Sequence, residues 1–470
     1  MKIGNIVISR KFIMTVTIIT LIVSSVVGYS YVNSDLEYSA TITIKKPNTD
    51  VKLYDKIASN SVSDSIRSDY VNSDTGIDFT QISSETNGRG LYLLSSTASD
   101  EYPIYYYRGN VSNNNAKFAG FCWKIVRTTE TGGTKLIYNG TPNASGECTN
   151  TTGTATQLSS KSAFNTNPNS PAYNGYMYGT VYERQKGTAS TSDVYGNTFT
   201  YENGTYTLSD IHDGVDATHH YTCFDTTGTC SSLSYVYYVS DSNAYYITLT
   251  GGKSVEDALA EMQTNTTSST VKTAVDNWFN NTFKTYFTTN EADYNDYLED
   301  TVWCNDRSMN TIEAAVSSGT SAVNNGWKPN GGSTSNNLWY SSYGRVKAGT
   351  PNLACSNKND SFTVTESAIG NGALTYPVGL LTADEIMLAG ATSVGNSDYY
   401  LYTYQYWWSM SPNFFNFESA YEFNAYSTGN LNIYGVHGDT AVRPSVSLKS
   451  DVVIDKNGDG TSTNPYVIIE

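Results

Sequence analysis

Hydrophobic and polar positions change their rhythm several times along the chain. Phe12 to Gly28 (FIMTVTIITLIVSSVVG) is a seventeen-residue run without a charge, behind a flank holding Lys2, Arg10 and Lys11 and no acid. That is short for a spanning helix and long for a signal-peptide core. Residues 1–30 therefore read as a transmembrane anchor or a signal peptide, with the anchor slightly favoured. Both put the positive flank in the cytoplasm and the rest of the chain outside, at the cell membrane or secreted. Residues 31–90 read as a membrane-proximal spacer. Within it Tyr38–Ile44 alternates like a strand, and Val51, Tyr54 and Ile57 space a short helix over Asp50–Ser59.

From Gly90 the pattern turns to strands. Leu91–Leu94 and Tyr102–Gly109 come first, then Phe118–Thr128 and Thr134–Tyr138 flanking a Gly-containing turn, which predicts a β-hairpin. Residues 141–171, 187–209 and 264–270 are rich in Ser, Thr, Asn and Gly and predict surface loops. Insertions thus occupy about 141–270 of an extracellular domain covering 91–470. Ser254 is placed to cap one helix. Val271, Val275, Trp278, Phe279, Phe283 and Tyr286 form an apolar stripe on a second helix, 271–287, and read as core. The stretch Leu298–Ser308 reads as a buried tight turn in which Asp306 and Arg307 pair. Thr382 and Glu385 form a capping box, with Gly390 at the C-cap. Alternation of Phe415, Phe417, Tyr421 and Phe423 with Asn416, Glu418, Glu422 and Asn424 predicts a strand burying one face, turned back at Ser427–Asn430.

Composition narrows the function classes. Lys and Arg number 28 against 44 Asp and Glu, and no basic run stands out, so nucleic acid is not the expected partner. Charged residues are only 15% of the chain while Tyr occupies 39 positions, so the surface is one for polar, uncharged contact. Six cysteines without a C-x-x-C pair favour disulfides in an oxidising compartment. Loop-closure economy pairs Cys122 with Cys148, Cys223 with Cys230 and Cys304 with Cys355; free thiols are the reading for a cytosolic chain.

Catalytic motifs are few. There is no Gly-x-Ser-x-Gly elbow, Walker loop, dinucleotide fingerprint or His-Glu-x-x-His. His219 and His220 near Cys223 fit solvated loop residues better than a metal set. Glu418 and Glu422 on one strand lie roughly 13 Å apart at about 3.3 Å per residue, beyond the ~5–9.5 Å that glycoside hydrolysis needs. Asp455, Asn457 and Asp459 resemble the first half of a calcium loop, but Tyr466 stands where the bidentate Glu belongs. An Asn/Asp/Gly turn is the better reading, and no cofactor is expected beyond a possible calcium ion. Around Tyr399–Trp408 the aromatics divide between core and contact, which makes Tyr400, Tyr402, Tyr404 and Trp408 the candidate binding residues.

The order of these elements resembles the C-type-lectin-like fold of bacterial surface proteins and of relatives of the formylglycine-generating (sulfatase-modifying) enzymes. The motifs that carry it are Trp407/Trp408 to Pro412 and Val442 to Val446. It implies an α+β domain with small antiparallel sheets, two or more helices and long polar loop insertions. The enzymes of that group act through cysteines near the domain's C-terminal end, and this chain has none after Cys355. Their activity therefore does not transfer. The expectation is a surface binding protein for a glycan or another surface protein, with an extracellular glycan-acting hydrolase and a structural envelope protein as the alternatives.

Overall fold

In a computed structural model the described residues are 51–63, 76–181, 255–311, 338–416 and 419–470, with strand segments 184–189, 198–201, 204–207, 220–221, 235–239 and 244–248. The anchor-or-signal reading of residues 1–30, the Tyr38–Ile44 strand, the Ser254 cap, the Cys223–Cys230 pair, His212, His219, Phe417 and Glu418 lie outside them. Among the described residues no helix is long and apolar enough to cross a membrane.

The compact unit runs from Asp50 to Glu470, so its start lies well before the boundary expected at residue 91. Val51–Lys52 pairs antiparallel with Val453–Ile454. Helix α1 (Leu53–Ser63) follows, one turn later than its spacing predicts. Leu53 and Ile57, four apart and thus on one face, are buried in the core. This half of the supposed spacer is part of the domain.

The fold is α+β. Its main sheet has eight strands, starting with β1 (Gly90–Leu93), β2 (Tyr105–Arg108), β3 (Asn115–Phe118), β4 (Phe121–Thr128) and β5 (Thr134–Tyr138). The expected hairpin is β4–β5, in register from Trp123 opposite Tyr138 to Thr128 opposite Thr134. Its turn closes through the Gly132 amide donating to the Thr129 carbonyl, with Gly132 at φ 80°. A Cβ on Gly133 would sit 2.2 Å from the Leu448 carbonyl, so only glycine lets the neighbouring strand approach there. A disulfide ties Cys122 in β4 to Cys148.

Residues 187–209, read as loop from their polar composition, hold strands instead. Arg184–Ala189, Thr198–Tyr201 and Gly204–Thr207 join His220–Tyr221, Tyr235–Val239 and Ala244–Thr248 in a second, six-stranded antiparallel sheet. Thr and Tyr are strand formers even where the average hydropathy is low, and that is what the loop reading overlooked.

Helix α2 (Val255–Met262) precedes α3 (Thr270–Trp278), whose N-cap Ser269 hydroxyl accepts the Lys272 amide at 3.1 Å. A π-helical turn, Phe279–Phe283, leads into α4 (Lys284–Thr289). Val271, Val275, Phe279 and Phe283 are fully buried and form the core part of the stripe, while Trp278 and Tyr286 are only half-buried.

The remaining elements build a four-stranded sheet beside the main one. They are β6 (Leu338–Trp339), helix α5 (Ser341–Ala348), helix α6 (Ala383–Leu388), β7 (Trp407–Phe415), β8 (Ala420–Ala425) and β9 (Leu431–Gly435). Strand β10 (Ser445–Leu448) returns to the main sheet, between β5 and Val378–Gly379. Phe415 to Phe423 is therefore a hairpin rather than one strand, with the Asn416 amide donating to the Ser419 carbonyl.

Sequence alternation also misplaces the polar partners. Glu422 and Asn424 are fully buried, because strands β7 and β8 are covered on both faces. Glu422 accepts from the Asn174 side-chain amide at 2.9 Å, and burial holds its carboxyl well above the usual range. A raised folded-state value means the protonated form is favoured in the fold. Stability is therefore greatest below the unfolded value of about 4.3 and falls as pH rises through it. Glu422→Gln is expected to melt higher than the parent at pH 8, with the difference closing toward pH 4 in thermal unfolding scans. Equal melting curves at pH 8 would show the carboxyl to be ionised without penalty.

The α6 capping box forms as read, with the Thr382 hydroxyl accepting the Glu385 amide and Glu385 accepting the Thr382 amide. Glu385 does more than cap. Its Oε1 receives Arg127 Nε at 2.9 Å and Lys135 Nζ at 2.8 Å, all three residues being buried. Lys135 Nζ also lies 4.2 Å from the centre of the Trp303 ring. Asp384 is bound bidentately by Arg345, which reaches Asp306 as well. Asp306 is thus taken by Arg345, and Arg307 instead pairs with Asp360 at 2.6 Å; the expected Asp306–Arg307 pair does not form. A second disulfide joins Cys304 and Cys355.

Candidate functional site

A groove of about 970 Å³ lies between the β4–β5 hairpin, the 158–162 segment and the exposed side of α3 and its π turn. Its aromatic residues are Phe121, Tyr138 and Trp278. They are fixed by their neighbours: the Trp278 ring centre lies 5.9 Å from Phe121, 5.7 Å from Tyr138 and 5.6 Å from Phe283. Beneath them Trp123 is fully buried and donates its indole N–H to the Phe118 carbonyl at 3.0 Å. The platform therefore rests on core, and its rings pay little entropy to hold position.

The π turn is part of this geometry. It adds a residue to one helical turn, a distortion that recurs at functional sites. Phe279 and Phe283 both point into the core while Asn277, Trp278, Asn281 and Thr282 line the groove. Around the aromatic floor stand Ser159, Ser160, Ser268, Thr270 and Thr273, with Lys161 as the one charged lining residue among those described. Among the described residues no carboxyl group and no histidine lines it. Stacking faces and neutral hydrogen-bonding groups are what the groove offers.

The residues expected to bind fall elsewhere. Tyr400 and Tyr402 line a smaller pocket of about 270 Å³ together with Tyr399. Tyr404 is 66% exposed on the surface, with φ 61°. Trp408 corrects the expectation: it is fully buried, donates its indole N–H to the Ser162 carbonyl at 2.8 Å and packs edge-on against Phe164. Strand β7 is buried along its whole length, which leaves Trp408 no route to a ligand. Trp278 carries the opposite lesson. Its spacing puts it on the apolar stripe, yet it sits at the stripe's margin and is only half-buried.

The calcium-like loop closes on itself. Asp455 Oδ1 accepts the Asn457 amide and side-chain N–H, and Asp459 Oδ1 accepts the Thr461 amide and hydroxyl. Among the described residues no group of three or more His, Cys, Asp or Glu side chains comes together as a metal set. No family model, curated protein or solved structure matches the chain.

Proposed function

We propose that this chain is an exported cell-surface protein that binds a neutral glycan in the Trp278 groove. The observation that carries the reading is the groove's lining: the half-buried rings of Phe121 and Trp278 beside the buried Tyr138, held rigidly from below and ringed by hydroxyl and amide groups. Sugars present alternating C–H faces and hydroxyl edges, which such a surface matches. Among the described residues the lining holds no carboxyl, which favours binding over hydrolysis at this place. Export is supported by the two disulfides, which persist in oxidising compartments, and by the N-terminal apolar run behind its basic flank. The scaffold is read as C-type-lectin-like. In support, the Trp407–Pro412 and Val442–Val446 segments meet where the Arg443 guanidinium lies 5.1 Å from the centre of the Trp407 ring, beside the bridge of Trp407 to Ala441.

Glycan-array binding of the purified chain tests this. Neutral glycans are expected to bind, and Trp278→Ala is expected to weaken them about tenfold, the effect of losing a stacking face of ~0.5–1.5 kcal/mol plus its buried area. Circular dichroism of the variant controls for folding. Binding to no glycan, together with a tight protein partner in a pulldown, would sink the glycan reading.

A further inference from the structure

Strand β4 places a lysine where an apolar residue is the usual choice. Lys124, opposite Asn115 on β3 and Ile137 on β5, is 8% exposed, and its side chain lines the 270 Å³ pocket of Tyr399, Tyr400 and Tyr402. It forms no ion pair or hydrogen bond with a described residue. Behind it lies the fully buried Arg443, whose guanidinium donates to the carbonyls of Tyr138, Thr156 and Leu401 and to Asn139 Oδ1. Those are all neutral acceptors. Arg443 acts on Lys124 as a like charge, and among the described residues the pocket lining holds no carboxylate, in a chain of formal charge −16.

Other groups at the pocket are also unsatisfied. The hydroxyls of Tyr399 and Tyr400 are buried without hydrogen-bond partners. A buried charge without a counter-ion and hydroxyls without acceptors are each costly. The common remedy is one acceptor bearing negative charge. Asn110, Ser112, Thr151 and Ser397 form the exposed rim, so the pocket communicates with solvent.

We propose that this pocket is a binding site for a small oxyanion, the carboxylate or phosphate group of a ligand, with Lys124 as its charge partner and the Tyr399 and Tyr400 hydroxyls as neutral donors. The site is separate from the Trp278 groove and shares no lining residue with it. Burial and then the like charge of Arg443 pull the Lys124 ammonium down to about 8. An anion reverses that cost, so binding takes up a proton above pH 8. The tyrosines lining the pocket do not interfere: burial raises Tyr399, Tyr400 and Tyr402, and Glu385 acts on Tyr400 only to raise it further. Lys124 is then the pocket group that titrates between pH 7 and 9.

Isothermal titration of the full chain with inorganic phosphate, glucuronate and glucose reads this out. Phosphate or glucuronate is expected to bind and glucose to leave the pocket empty; which anion binds identifies the source. Affinity is expected to fall between pH 7 and pH 9, and Lys124→Met to weaken it at least about tenfold, as loss of a charged hydrogen-bonding partner does. Tyr400→Phe keeps the ring, removes one donor and is expected to weaken binding about threefold or more, which keeps the test decisive if Lys124→Met does not fold. Trp278→Ala is expected to leave the anion affinity unchanged. Absence of binding by both anions, or binding unchanged in Lys124→Met or flat between pH 7 and 9, would overturn the proposal.

Discussion

Replacing Glu385 with alanine is expected to cost about 3–5 kcal/mol of unfolding free energy, the penalty for breaking a buried ion pair by removing one partner. The loss has a definite source. Arg127 and Lys135 are both buried, and without Glu385 two cations remain in the core with one weak substitute, the half-exposed Glu130 at 3.6 Å from Arg127. The N-terminus of α6 loses its reciprocal cap at the same time. Glu385→Gln keeps the shape and is expected to lose less. The wild-type protein carries the same signature in its pH dependence. Burial alone pushes the Glu385 carboxyl up, but Lys135 and Arg127 outweigh it and hold the carboxyl down at about 2. A depressed folded-state value means the stabilisation is fully present above the unfolded value of about 4.3. It is lost as pH falls from there toward 2. Urea unfolding at pH 7, 4 and 3 measures this. A Glu385→Ala midpoint within error of the parent at pH 7 would mean the two cations are solvated after all.

The second large effect concerns Cys304–Cys355, which spans 51 residues. Opening it with the double Cys→Ser replacement is expected to cost about 4 kcal/mol through the freedom returned to the unfolded chain. The Cys122–Cys148 link, spanning 26 residues, is expected to cost slightly less, about 3.5 kcal/mol. Denaturant titration of each double variant gives the comparison. A loss under about 1 kcal/mol for Cys304–Cys355 would show that the unfolded chain is already compact there. Mass spectrometry without reduction gives an independent reading, because six free thiols on protein recovered from the cell surface are incompatible with either bridge.

Much of the architecture was legible in local sequence because local physics decides it. The β4–β5 hairpin shows in two apolar runs around Gly132 and Gly133, the α6 cap in Thr382 and Glu385 three residues apart, and the buried stripe of α3 in Val271, Val275 and Phe279. Both described disulfides join cysteines adjacent in sequence order, as loop closure prefers. What escaped was set by partners far along the chain. Glu385 meets Arg127 and Lys135 across 258 and 250 residues. Arg307 finds Asp360 rather than its neighbour Asp306 because Arg345 reaches Asp306 from α5. Lys124 looked like one polar position in a strand, and only the topology shows that β3, β5 and the Tyr399–Tyr402 segment close over it. The groove is similar: Trp278 belongs to the apolar stripe by spacing, and its partial exposure depends on where the 158–162 segment passes.

Strand β10 has a further consequence for how the protein reaches this state. It lies inside the main sheet, between β5 and Val378–Gly379, so the sheet has a gap until residue 448 has left the ribosome. Val51–Lys52 likewise waits for Val453–Ile454, some four hundred residues later, and β3 for Tyr466–Val467. Contacts of such sequence separation form slowly and late. The nascent chain therefore remains incomplete through nearly all of its synthesis, with the β4–β5 hairpin and α3–α4 as its early local pieces. Closing the main sheet therefore waits for the strands at 445–448 and 466–467.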